Sequence, residues 1–215
     1  MNKIGRLWLS FGFLWLSACS SAYYGGLEQI GIAKRDIMVH RVEKARDIQE
    51  ETKQQFSSAL EQFSVATQFS GGDLEAIYNK LNDEYEDSQA QAERIAKQIA
   101  DIEDVSEALF AEWEQEIEQY NSPSLKRSSR DQLSRTRQKY AQLITAMKKA
   151  ESRLSPVLIV FKDQILYLKH NLNARAIASL KNELVTMETD VQALIQAMED
   201  AINEADRFIQ TLENP

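Results

Sequence analysis

Apolar residues recur at alternating intervals of three and four positions through residues 177–212, and this period limits what the chain can fold into. The seam consists of Ile177, Leu180, Leu184, Met187, Val191, Leu194, Met198, Ala201, Ala205, Phe208 and Leu212. A period of 3.5 residues is typical of an α-helix packed as in a coiled coil, whereas a half-buried strand has a period of two. Ile195, Ile202 and Ile209 widen the stripe, which predicts a helix packed on two neighbours.

The same spacing, less strict, runs through three earlier segments. Seven glycines and three prolines in 215 residues leave little chain for loops. The sequence therefore predicts an all-α fold, an elongated antiparallel bundle of about four long helices with coiled-coil-like seams, in a single domain over residues 27–215. The predicted helices cover residues 27–69, 73–120, 124–170 and 174–213.

Local signals set the boundaries between these helices. Asp73 follows a glycine pair and is a plausible N-cap, and residues 121–124 (NSPS) end the second helix. The seam of the third helix keeps its phase through Pro156, which predicts one kinked helix rather than two. Residues 170–173 (HNLN) predict a turn, although the third and fourth helices could also run on as one rod.

Charge predicts how the middle helices pair. Residues 73–120 hold fifteen acidic residues and three basic ones, whereas residues 124–175 hold twelve basic residues and three acidic ones. A hairpin at the NSPS turn would lay these flanks side by side. Exposed pairs contribute only about 0–1 kcal/mol each, but complementary flanks can select the partner helix and its direction.

The first eighteen residues are typical of a bacterial signal peptide. Lys3 and Arg6 give a positive start, and residues 7–16 form an apolar run of ten residues. That length matches the hydrophobic region of a signal peptide and is too short for a helix that spans a bilayer. Residues 1–18 are therefore predicted to be a lipoprotein signal peptide that is removed.

The residues that end this segment indicate a lipid anchor. Leu16-Ser17-Ala18-Cys19 resembles the lipobox of bacterial lipoproteins, in which the cysteine is diacylglyceryl-modified, freed by cleavage and then N-acylated. Cys19 is the only cysteine, and a thioether avoids a free thiol in an oxidising compartment. We expect lipidation at Cys19 and hence attachment to a membrane. The alternative is ordinary secretion after cleavage at Ala18.

The residues after Cys19 bear on which membrane holds the protein. Lipoproteins retained at the inner membrane often carry Asp after the cysteine, so Ser20 favours the outer membrane, with the protein facing the periplasm; inner-membrane anchoring is the alternative. Residues 19–26 are predicted to be a lipidated tether. Tyr23 and Tyr24 either lie among the lipid headgroups or start the packing of the first helix.

Two clusters are candidate interaction sites. The basic cluster after the NSPS turn either pairs with the acidic helix or binds anions such as lipid phosphates, or an acidic envelope partner. The cluster at the predicted 170–173 turn either caps and turns the chain or recognises a ligand at one end of the bundle. The members of the two clusters are Lys126, Arg127, Arg130, Arg135, Arg137 and Lys139, and Lys169, His170, Asn171, Asn173 and Arg175.

Catalytic and cofactor chemistry is not predicted. His40 and His170 have no His or Cys at ligand spacing, so we expect no metal site. The glycine pair at 71–72 stands alone rather than in a phosphate-binding loop, and no Gly-x-Ser-x-Gly elbow is present. The chain carries a net charge of −8, and removing Lys3 and Arg6 with the signal peptide leaves −10, which argues against nucleic acid.

Several stretches together resemble one protein family. They are Tyr23-Tyr24-Gly25, residues 31–37 (GIAKRDI), 71–74 (GGDL), 81–85 (LNDEY), 108–110 (ALF) and 168–180 (LKHNLNARAIASL). They are similar to a proteobacterial family of uncharacterised helical lipoproteins. The resemblance implies an all-helical lipoprotein and brings neither an activity nor a functional residue.

The functional expectation has two forms. The first is a lipid-anchored, non-enzymatic outer-membrane lipoprotein that acts as a scaffold or interaction protein, with a protein partner in the envelope and a homo-oligomer as a possible state. The second is a module that binds lipid or small anions through residues 126–139 or through the Lys169–Arg175 cluster. No cofactor is expected in either form.

Overall fold

The computed structural model describes residues 33–69 and 71–213, so the predicted signal peptide, Cys19 and the tether lie outside the described residues. The described chain forms four helices: α1 (Lys34–Thr67), α2 (Leu74–Gln119), α3 (Pro123–His170) and α4 (Ala174–Glu213). Each helix packs on two others in the cyclic order α1–α2–α3–α4. The predicted all-α bundle is confirmed, and α4 has the two neighbours that its widened stripe predicts.

The turns between the helices follow from local chemistry. Gly71 and Gly72 have φ angles of +146° and +130°, which L side chains rarely adopt, so glycine is required at this turn. Asp73 then caps α2 by accepting hydrogen bonds from the backbone N–H groups of Glu75 and Ala76, at 2.9 and 3.2 Å. The predicted N-cap is therefore observed.

Helix α3 is a single helix that contains Pro156, as the unbroken phase of its seam predicts. It starts at Pro123, one residue before the predicted start, because proline has no N–H to lose at the first helical position. The turn at Asn171–Asn173 separates α3 from α4. The alternative of one continuous rod through residues 170–174 is therefore wrong.

Aromatic side chains join helices across the core. In one half of the bundle, Phe161 of α3 packs on Phe63 and Phe56 of α1, with ring centroids 4.7 and 6.2 Å apart, and all three rings are fully buried. In the other half, Tyr140 of α3 lies 5.5 Å from the Phe110 ring of α2. Burial raises the pKa of the Tyr140 phenol. Phe208 of α4 also packs on Tyr140, so aromatic contacts connect all four helices.

The antiparallel order gives the bundle two unlike ends. The N-terminal end carries the start of α1, the turn at residues 120–122 and the end of α4, while the far end carries the turns at residues 68–73 and 171–173. The 40 residues of α4 span about 60 Å at the rise of an α-helix. Over residues 33–69 and 71–213, no helix has a stretch long and apolar enough to cross a bilayer.

Candidate functional site

The two asparagines of the far-end cluster close the α3–α4 turn. The side-chain oxygen of Asn173 accepts a hydrogen bond from the Arg175 N–H at 2.9 Å, which caps α4. The side-chain amide of Asn171 donates to the carbonyl of Tyr167 at 2.9 Å. The capping role is therefore observed. An asparagine at such a junction is expected either to supply a side-chain oxygen or to adopt a left-handed conformation. For Asn171 this expectation is wrong, because its φ is −136° and its side chain donates.

The remaining residues of the cluster face solvent. Lys169, His170 and Arg175 are exposed, and none forms an ion pair with any described residue. Beside them Tyr167 and Leu172 are 37% and 45% exposed. We call Tyr167, Lys169, His170, Leu172 and Arg175 the far-end surface. It combines exposed apolar side chains with unpaired cations at the tip of the bundle.

The capping geometry predicts unequal effects on stability within this cluster. Asn173→Ala is expected to lower the free energy of unfolding by about 1 kcal/mol, because the Arg175 N–H loses its acceptor. His170→Ala is expected to change it by less than about 0.5 kcal/mol, since His170 is exposed. Urea unfolding of both variants would measure the two values. Equal losses would contradict the assignment of the cap to Asn173.

Part of the basic cluster pairs with the acidic helix at the N-terminal end. Lys126 and Arg130 both contact the Glu118 carboxylate, at 2.7 and 2.8 Å, and Arg137 contacts Glu114 at 2.6 Å. The Arg137 guanidinium also lies 5.2 Å from the centroid of the Phe110 ring. For these three cations the predicted pairing along the α2–α3 hairpin is observed.

The other part of the cluster does not pair. Arg127 and Arg135 are exposed, and Lys139 donates a hydrogen bond to Gln142. None of the three forms an ion pair with the residues that the structure describes, so the pairing interpretation is wrong for them. Arg135 lines a surface groove of about 430 Å³ between α3 and α4, together with Lys139 and Arg207. Arg207 is engaged by Glu204. This groove keeps an anion-binding interpretation open.

The paired carboxylates predict a pH dependence. The hydrogen bond from Lys126, and then that from Arg130, lowers the pKa of Glu118, and the hydrogen bond from Arg137 lowers the pKa of Glu114, from a usual value of 4.5. A lowered pKa in the folded state stabilises the fold above pH 4.5, and this contribution is lost as the pH falls through the lowered values.

Glu114→Gln with Glu118→Gln should therefore lower stability at pH 7. This difference from the wild type should decrease as the pH falls from 4.5 toward pH 3, because protonation of the wild-type carboxylates removes the same ion pairs. Urea unfolding of the wild type and the variant at the two pH values would measure this. If the difference between the two proteins is the same at pH 7 and pH 3, these ion pairs do not contribute as described.

The ion pairs within residues 33–69 and 71–213 lie in one half of the bundle. Among the described residues, the ion pairs join residues 34–53 of α1, 94–118 of α2, 126–149 of α3 and 199–207 of α4, all toward the N-terminal end. The far halves of the four helices contain none within residues 54–69, 71–93 and 150–198. In this half, carboxylates such as Glu84, Glu86 and Glu93 accept hydrogen bonds from neutral side chains instead.

An open groove of about 630 Å³ runs between α2 and α3 in this far half. Ala92 and Ala96 of α2 form one wall, and Leu158, Ile159 and Lys162 stand on the other. Ile159 is 57% exposed, so it offers apolar surface at the edge of this groove. The groove was not predicted from the sequence, although Ile159 stands outside the buried seam of α3.

Comparison with known proteins identifies the family. Residues 23–212 match the model of a family described as proteins of unknown function, DUF2959. Because the match covers nearly all of the chain, this protein belongs to that family. A comparison with curated proteins finds no match.

Proposed function

We propose that this protein is a lipid-anchored, non-enzymatic rod of a bacterial envelope, held at the outer membrane and facing the periplasm, whose far-end surface binds another envelope protein. One observation carries the proposal. The helix that follows the tether begins at the end opposite the Asn171–Asn173 turn. A lipid on Cys19 would therefore tether one end of the bundle and leave the other free.

The length of chain between Cys19 and the first helix limits how the rod can be oriented on the membrane. The fourteen steps from Cys19 to Ala33 reach at most about 50 Å when fully extended. The two ends of the bundle are about 60 Å apart along α4. If the rod were inverted, with its far end on the membrane, the first helix would begin further from the membrane than the extended tether can reach. The far-end surface is thus the part of an upright rod that extends furthest into the periplasm.

The chemistry of the far-end surface suits a protein partner. Tyr167 and Leu172 offer apolar contact, and Lys169 and Arg175 offer cations that no described side chain neutralises. Protein interfaces combine an apolar centre of this kind, often with aromatic residues and arginine, with a polar rim. The expected partner surface is apolar at its centre and acidic around it.

A complementation experiment tests this proposal. Leu172→Asp with Arg175→Glu should reproduce the phenotype of a gene deletion while leaving protein level and melting temperature unchanged, because both side chains are exposed. Val185→Asp is the matched control, since Val185 is 70% exposed on α4 outside the cluster and should complement fully. A double variant that also complements fully would overturn a role for the far-end surface.

The groove beside Arg135 favours a second candidate function, binding of anionic lipid headgroups. It opens between α3 and α4 toward the end that a lipid on Cys19 would tether, and three cations line it. Arg135→Glu should then weaken binding of the protein to vesicles that contain anionic lipid and leave binding to neutral vesicles unchanged. Unchanged binding to both would reject this candidate.

A further inference from the structure

We propose that two copies of this chain pair side by side through the α2–α3 grooves of their far halves, around a two-fold axis parallel to the bundle. The partner is a second copy because the two walls of the groove complement each other. The proposal rests on the proposed function in one respect. Two copies anchored in the same membrane have their N-terminal ends on the same side, which favours a two-fold axis parallel to the bundle.

Toward the far end of the groove, beyond Glu151 and the ion-paired Lys148, its walls carry opposite charge. On α2, Glu93 lines the groove, and Glu86 lies seven residues further toward the far end on the same face. Both are exposed and form no ion pair with a described residue. On α3, Lys162 lines the groove, is exposed and is likewise unpaired within the described chain. Rotation about an axis parallel to the helices places α2 of each copy over α3 of the other. The acidic wall then meets the basic one.

The helix register brings complementary residues to the same height. The ion pair between Glu103 and Lys148 aligns α2 with α3, and counting outward from it places Lys162 within about one turn of Glu86. An axis parallel to the bundle keeps heights unchanged, so Lys162 of one copy faces Glu86 of the other. Unlike charges at an interface of this kind select the partner and its orientation.

The apolar side chains fit the same arrangement. Ile159 and Leu166 lie seven residues apart on α3 and are 57% and 45% exposed, so they form an apolar ridge on either side of Lys162. Counting from the same ion pair places Ile159 level with Ala92, a small residue on the α2 wall. The ridge of each copy can therefore enter the space that Ala92 leaves on the other.

The alternative two-fold axis is disfavoured on two grounds. An axis across the helices would place α2 against α2 and bring Glu86 and Glu93 near their own copies, where like charges repel. It would also set the N-terminal ends of the two copies at opposite ends of the dimer. Two copies tethered in one membrane cannot easily adopt that arrangement, whereas the parallel axis keeps both N-terminal ends together.

Cysteine crosslinking on the full chain, expressed with its own leader, tests the dimer. Cys19 is the only native cysteine, so an introduced cysteine is the only free thiol of the lipidated protein. Two differently tagged forms, Ala92→Cys and Ile159→Cys, would be co-expressed, and isolated membranes would be oxidised. We expect a disulfide-linked heterodimer of the two tags, since the paired backbones would come within the reach of a disulfide. Val185→Cys replaces Ile159→Cys in the matched control and should not crosslink with Ala92→Cys.

Charge exchange gives a second and independent measurement. Glu86→Lys should reduce the crosslinked fraction about tenfold, since two like-charge contacts replace two favourable ones at roughly 0.7 kcal/mol each, where 1.4 kcal/mol is a factor of ten. Adding Lys162→Glu to the same chain should restore crosslinking, because the charges are complementary again. Both side chains are exposed, so the fold should tolerate the changes.

Three outcomes would overturn the proposal. The first is that Ala92→Cys and Ile159→Cys do not crosslink. The second is that Ala92→Cys crosslinks with Val185→Cys as much as with Ile159→Cys. The third is a disulfide between two Ala92→Cys chains, which would place α2 of one copy against α2 of the other. Each is read on protein that has already sedimented with membranes. A failure of lipid anchoring appears instead as protein in the soluble fraction, so the two failures are distinguishable.

Discussion

Phe161→Ala is expected to lower the free energy of unfolding by about 3–5 kcal/mol, the usual loss for a fully buried phenylalanine. Phe161 packs on Phe63 and Phe56, so its removal opens a cavity between α1 and α3. Ion pairs among the described residues lie in the other half of the bundle. Burial of apolar side chains must therefore supply most of the stability of the far half.

Urea unfolding of the Phe161→Ala protein beside the wild type would measure the loss, with Val185→Ala as the matched control because Val185 is 70% exposed. The control should change the free energy of unfolding by less than about 0.5 kcal/mol. A loss below about 1 kcal/mol for Phe161→Ala would mean that α1 and α3 do not meet through these rings.

Cys19→Ser is expected to abolish lipidation and to remove essentially all of the acyl-chain anchoring, because several acyl chains at about 0.8 kcal/mol per buried methylene group hold a lipoprotein permanently. The variant should accumulate as an uncleaved or wrongly processed precursor. Mass spectrometry of the N-terminal peptide and fractionation of the envelope would follow both effects. Ser20→Ala is a conservative control that should keep the lipid. A Cys19→Ser protein that gains the same lipid mass as the wild type would disprove the lipobox interpretation.

Much of the fold follows from periodicity alone. In the first predicted helix, the residues spaced three and four apart from 42 to 66 form a seam, and all eight are buried in α1: Val42, Ala45, Ile48, Thr52, Phe56, Ala59, Phe63 and Ala66. A core-facing stripe of this kind can be recognised without knowing which helix it packs against. The turn at Asn173 was also predictable, since asparagine supplies a side-chain acceptor to the next helix. The pairing of Glu118 with Lys126 followed from two opposite charges on either side of one turn.

Other features depend on how the helices pack on one another, which the sequence pattern does not specify. Gln49 is 1% exposed, and neither polar atom of its side chain has a partner among the described residues. It is buried because α1 packs between two helices and turns a wider face inward than its seam alone indicates. Arg135 carries the same charge as Arg130, yet only Arg130 meets an acid. The groove beside Ile159 depends on the separation of α2 and α3, which periodicity does not specify.

The orientation of the rod is the central claim, and the distance of each end from the membrane tests it most directly. Tyr120→Cys and Leu172→Cys place a single fluorophore at the N-terminal end and at the far end, both at exposed positions. Energy transfer from each label to acceptor lipids would be measured with the lipidated protein in vesicles. We predict strong transfer from position 120 and weak transfer from position 172, about 60 Å further from the membrane. Equal transfer from both positions, or stronger transfer from position 172, would contradict the account.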